Sequence, residues 1–158
     1  MATINATLSV SSDVTKYGFS INNTMEMRKA GSTAGLELTT GLARKTFTST
    51  NHVDLLTAGS GIAADVTASK SAKVYIKNVG SSTSDYFTIG LGKSSGTGTE
   101  EAFDMADSGE KQAQLGNLYG GDWMLIPWQA DSTNGYGDIT VKPNVATTMS
   151  LEYMVFFE

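Results

Sequence analysis

The chain offers few residues that could do covalent chemistry. Gly92-Lys93-Ser94-Ser95-Gly96 fits the G-x-S-x-G pattern, in which a serine on a sharp strand-to-helix turn acts as a nucleophile. Such hydrolases place the histidine after the serine. The one histidine here, His52, lies upstream, and Thr97-Gly98-Thr99 is not a clean helix start. The pattern reads as a glycine-serine loop, and no catalytic residue is assigned. Gly59-Ser60-Gly61-Ile62-Ala63-Ala64 fits G-x-G-x-x-G/A, whose amides cradle a pyrophosphate at a helix start. No helix pattern follows over residues 65–70 and no βαβ unit surrounds it, so no cofactor is expected.

Metal chemistry fares no better. Asp104, Asp107 and Glu110 recur every third residue but lack the D-x-D-x-D-G order of a calcium loop. They read as solvated surface. One histidine and no cysteine exclude a typical zinc site, a thiolate nucleophile and disulfides. His52 reads as a strand-edge or surface residue, and no metal is expected. No carboxylate pair stands out as the couple a glycosidase needs.

Stacking chemistry remains. Tyr75, Tyr86, Phe87, Tyr119, Trp123, Trp128, Tyr136 and Tyr153 are candidates to stack on sugars or bases. Most fall in alternating runs, where aromatic rings fill a core or pair across strands. Tyr119 and Tyr136 stand beside turn glycines and are the two expected to face a ligand.

The elements that must position these residues are strands. Val74, Ile76 and Asn78 fall on one face of AKVYIKNVG, and Phe87, Ile89 and Leu91 repeat the alternation in DYFTIGLG. Residues 80–84 between them are small and polar and suit a hairpin connection. Ile4, Ala6, Leu8 and Val10 predict a strand over 3–10. Phe19, Ile21, Asn23, Met25 and Met27 predict another over 18–28. Shorter strands are expected at 43–50 and around Val53, Leu55 and Leu56. Residues 123–128 (WMLIPW) are apolar on both faces, with Pro127 marking a strand end or bulge. Ile139 and Val141 make a strand ending at Pro143. In the closing strand, 147–157, the polar face turns apolar at Met154 and Phe156, which predicts another layer or an interface there. Residues 57–71 read as a flexible connection. Residues 93–117 read as the longest polar excursion, with one or two helical turns at 99–105 or a plain surface loop.

This gives about eight strands with little helix: an all-β, antiparallel β-sandwich of jelly-roll type, in one domain over 1–158, with residues 1–12 as a contact strand or arm. Composition agrees. Gly 17, Thr 20 and Ser 17 supply turns and strands, and only 17% of residues are charged. A net charge of −5 disfavours nucleic acid and anionic membrane as partners. The opening MATINATLSVSS lacks the regions of a signal peptide, and no apolar run approaches the roughly 18 residues of a membrane span. The sequons at Asn5 and Asn22 are expected to stay unmodified.

One ordered set of segments carries a resemblance: YIKNVGSS (75–82), the DYFTIGLG strand, LYGGDWMLIPW (118–128) and ATTMSLEYMVFFE (146–158). In pattern and order this resembles the β-sandwich cement or decoration proteins on the outer capsid of tailed bacteriophages. It covers roughly Lys73 to Glu158 and carries a class, with no motif to transfer residue by residue. The resemblance implies a non-enzymatic virion protein, assembled in the host cytoplasm and bound to the major capsid protein as a homo-oligomer, a trimer before a dimer. The N-terminal strand, with Ile4 and Leu8, and the edge strands are the expected contacts, because an unpaired edge templates another chain. The alternative is a receptor- or glycan-binding head of a phage fibre, using Tyr119 and Tyr136. A β-sandwich enzyme ranks last.

Overall fold

The computed structural model describes residues 3–12, 18–67, 69–92, 112–131 and 137–158. Its eleven strands are β1 (Asn5–Ser12), β2 (Phe19–Glu26), β3 (Leu38–Thr39), β4 (Ala43–Phe47), β5 (Val53–Leu56), β6 (Ala72–Asn78), β7 (Tyr86–Gly92), β8 (Gln112–Tyr119), β9 (Trp123–Trp128), β10 (Ile139–Pro143) and β11 (Met149–Phe157). One 3-10 turn, Gly61–Ala63, accompanies them.

The pairing has a simple rule. β7 pairs with β8, β6 with β9, β5 with β10 and β4 with β11, all antiparallel. A long double strand has been folded over on itself. The result is two sheets, β5-β10-β7-β8 and β4-β11-β6-β9, with β3 extending the β4 edge along β11. That is the strand order of a jelly roll. β1 and β2 stand apart as a two-stranded ribbon.

Alternation explains the core. Ala72, Val74 and Ile76 of β6 and Leu151, Val155 and Phe157 of β11 are buried from one sheet. Phe87 and Ile89 of β7 and Ile139 and Val141 of β10 are buried from the other. Each such side chain contributes about 1.5–3 kcal/mol on leaving water. Phe47 of β4 meets Phe87 of β7 edge to face across the layers, ring centres 5.2 Å apart.

Several expectations change. The 72–92 segment is not a hairpin: β6 and β7 lie in different sheets, so residues 79–85 form an arch between layers. Two runs with one oily face each can meet edge to edge or face to face, and alternation specifies only the faces. The end of the supposed polar excursion is β8. Its pattern is broken by a bulge opposite Ile89 and Gly90, which leaves Leu115 exposed and Leu118 buried. The strands number eleven, not about eight, although eight make up the roll. Residues 57–71 are no free connection, because Ala58, Ala63 and Val66 are buried in the core. Pro127 lies inside β9, which tolerates it as an edge strand. The 99–105 helical turn, the Asp104 group and Ser94 lie outside the described residues.

Candidate functional site

The ribbon is where the fold departs from a plain sandwich. Its register sets Ala6 opposite Met25, Leu8 opposite Asn23, Val10 opposite Ile21 and Ser12 opposite Phe19. These residues share one face, which is apolar but for Asn23 and Ser12. Asn5, Thr7, Ser9, Ser20, Asn22 and Thr24 make the other face polar, with the Thr7 and Thr24 hydroxyls 3.0 Å apart. Two strands with an oily face lack a second layer. The apolar face is accordingly open: Leu8 is 46% exposed, Phe19 46% and Ile21 48%.

At the ribbon's root the chain folds back on itself ahead of β3. Met27 N–H donates to the Ile4 carbonyl at 2.9 Å, and Leu36 N–H to the Met27 carbonyl at 2.7 Å. Met27 and Leu36 are buried beneath it. The ion pairs Arg28–Glu26 and Lys29–Glu37, both 3.1 Å, flank this root.

Between the ribbon and the outer face of the β6–β9–β11 sheet runs a cleft of about 670 Å³. Leu8, Met25 and Met27 line one wall, and Tyr75, Trp123, Leu125 and Phe156 the other. The apolar turn of the closing strand is thereby explained: Phe156 faces this cleft. Tyr75 and Trp123 lie with ring centres 6.3 Å apart. Burial first, and the nearby Glu152 carboxylate second, push the Tyr75 hydroxyl above its ordinary pKa.

The sequence-predicted contact residues divide. Ile4 is half-buried at the ribbon root, and Leu8 stands on the open face. Tyr119 is 40% exposed at the end of β8, its ring centre 5.1 Å from that of Tyr86. Tyr136 lies outside the described residues. The structure joins Ile4 and Leu8 on one element and sets Tyr119 on another. Phe19, Ile21 and Met25 belong to the same surface as Leu8 and were not singled out. The available signal was that both N-terminal strands alternate apolar and polar and carry no charge before Glu26. His52, expected at a strand edge or the surface, is 3% exposed, and neither ring nitrogen has a hydrogen-bond partner among the described residues. It lies between β4 and β5, directly before Val53.

No family model, characterised protein or solved structure matches this chain. Its function is therefore argued from the surface itself. Among the described residues no group of three or more His, Asp or Glu side chains gathers as a metal site would, and no helix is long and apolar enough to cross a membrane. The described surface presents an oily ribbon face, an apolar cleft and a pair of tyrosine rings.

Proposed function

We propose that this chain is a non-enzymatic structural protein of a tailed-phage virion, a decoration or cement protein that binds the outer capsid and stabilises the head. The observation that carries the reading is the ribbon: a two-stranded extension with an open apolar face, rooted on a rigid jelly roll. A protein that works by adhesion needs such a projecting contact element and a body that does not deform when pulled. The resemblance of residues 73–158 to phage decoration proteins supports the same class. Many copies per particle make modest affinity per copy sufficient, since each additional bridge acts at high effective concentration. The partner is the major capsid protein, and the chain acts as a homo-oligomer. The test is co-sedimentation with undecorated capsids. Saturable binding at a fixed ratio per capsid subunit, with a gain in particle heat resistance, is expected. Absence of the protein from assembled virions sinks the proposal.

A second reading rests on Tyr119 and Tyr86. Their rings lie together beside the Gly120-Gly121 turn, with Tyr119 partly open to solvent, and exposed aromatic pairs can stack on sugars. In that reading the chain is a glycan-binding head of a phage fibre. A glycan array with hits that vanish on Tyr119→Ala supports it; an array without hits counts against it.

A further inference from the structure

We propose that the apolar face of the β1–β2 ribbon is a self-association surface, covered in solution by the same face of a second copy of this chain. The inference rests on the reading of the ribbon as a contact element and names what its oily face takes.

Three observations select a second copy as the occupant. The first is architectural. A two-stranded ribbon is marginal in water until a second layer covers its apolar face. Among the described elements β1 and β2 pack extensively on one another alone, and Leu8, Val10, Phe19, Ile21 and Met25 are each 37–48% exposed. The ribbon of a second copy, laid face to face, supplies a matching layer.

The second is charge. A face that meets itself across a two-fold axis must be its own complement, and a charge near that axis would meet its own copy. The chain carries 11 basic and 16 acidic residues, yet Thr3 to Ser12 and Gly18 to Met25 contain none. Two bodies of net charge −5 can approach most closely along such a strip.

The third is area. The five residues are together exposed to the extent of about two whole residues, roughly 400 Å² of surface with their backbone included. Pairing two such faces would cover up to roughly 800 Å² from these five side chains alone, the apolar centre of an interface to which a polar rim adds.

Sedimentation velocity of the full chain over a concentration series tests this. The wild type is expected to run as a dimer or a larger assembly of dimers. Ile21→Lys sets a cation in the centre of the face and is expected to weaken association roughly 100-fold or more. Thr24→Lys sets the same charge on the polar face and is expected to leave the mass unchanged. Circular dichroism of both variants should keep the β-sheet signal of the sandwich, and Thr24→Lys should keep the wild-type unfolding midpoint, whereas Ile21→Lys loses the part of it that association supplies. A monomeric wild type overturns the proposal. So does retention of mass by Ile21→Lys, or equal dissociation by both variants. A wild-type monomer that binds phosphatidylcholine vesicles through the ribbon also overturns it. Capsid binding is read separately. A wild-type monomer that saturates capsids ends the pairing and keeps the decoration role. A wild-type dimer that ignores capsids keeps the pairing and ends that role.

Discussion

The side-chain amide of Asn78, 1% exposed, donates a 3.0 Å hydrogen bond to the carbonyl oxygen of Leu118. The two residues belong to different sheets, so this bond ties the layers at the end where two arches turn, residues 79–85 between β6 and β7 and residues 120–122 between β8 and β9. Asn78 Oδ1 accepts from Gly80 N–H at 3.0 Å, its backbone N–H donates to the Asp122 carbonyl and its carbonyl accepts from Gly121 N–H, each at 3.0 Å. Asn78→Ala removes both side-chain bonds and leaves buried groups unpaired. The expected loss is about 2 kcal/mol, or about 4–8 °C in Tm, measured by denaturant and thermal unfolding. Asn78→Asp keeps the acceptor for Gly80 but cannot donate to Leu118 and sets a carboxylate against a carbonyl. It should cost more than Asn78→Ala.

The same arches predict a steric limit at Gly120. A Cβ there would lie 2.5 Å from the Ser82 carbonyl oxygen and 2.7 Å from its nitrogen. Gly120 N–H also donates to that oxygen at 3.1 Å. Both obstacles are backbone, so the two arches must separate to admit a methyl group. Gly120→Ala is expected to lower stability by about 2 kcal/mol or more. Equal unfolding midpoints for the variant and wild type would show that the arches do not hold each other.

His52 presents the opposite case. Both ring nitrogens are buried without a partner among the described residues. Folding removes them from water with no return, and an apolar side chain of similar size avoids that cost. His52→Leu is expected to be neutral or to raise stability by about 1 kcal/mol, read as a higher midpoint in urea. A loss of 2 kcal/mol or more would mean that the imidazole is held by an interaction this arrangement lacks.

Tyr75 gives a pH dependence with a definite sign. Burial, then the Glu152 carboxylate, raises its pKa above the usual value of about 10. The folded chain therefore holds this proton more tightly than the unfolded chain does. The contribution is fully present below about pH 10 and is lost as pH rises through the folded pKa. Denaturation at a series of pH values from about 8 to 11 should show stability falling at the alkaline end, and Tyr75→Phe should remove part of that slope. Tyrosinate absorbance should show one phenol titrating late, and Glu152→Gln should bring it earlier. Glu152 also pairs with Arg44 at 2.5 Å, across β4 and β11 on an exposed surface. Losing that pair alone should cost no more than about 1 kcal/mol.

Much of the architecture could be read from residue order. Period-two alternation marked the inner faces of β6, β7 and β11, and Val74, Ile76, Phe87, Ile89, Leu151 and Val155 are all buried. Frequent Gly, Ser and Thr turns with little helix pattern pointed to a sandwich. The loss of polarity at Met154 and Phe156 pointed to a further layer or an interface, and Phe156 faces the ribbon cleft. These features are local, and a strand's own side chains determine which face can leave water. Pairing is not local. Only the folded chain decided that β6 takes β9 and β11 as neighbours and that β7 takes β8 and β10, because an alternating strand specifies a face and not a partner. β8 was hidden because its bulge shifts the alternation at Leu115. The cleft could not be read at all: its walls come from Leu8 and Met25 on one side and Tyr75, Trp123 and Phe156 on the other. Residues so far apart in sequence become neighbours only when two sheets and a ribbon share one root.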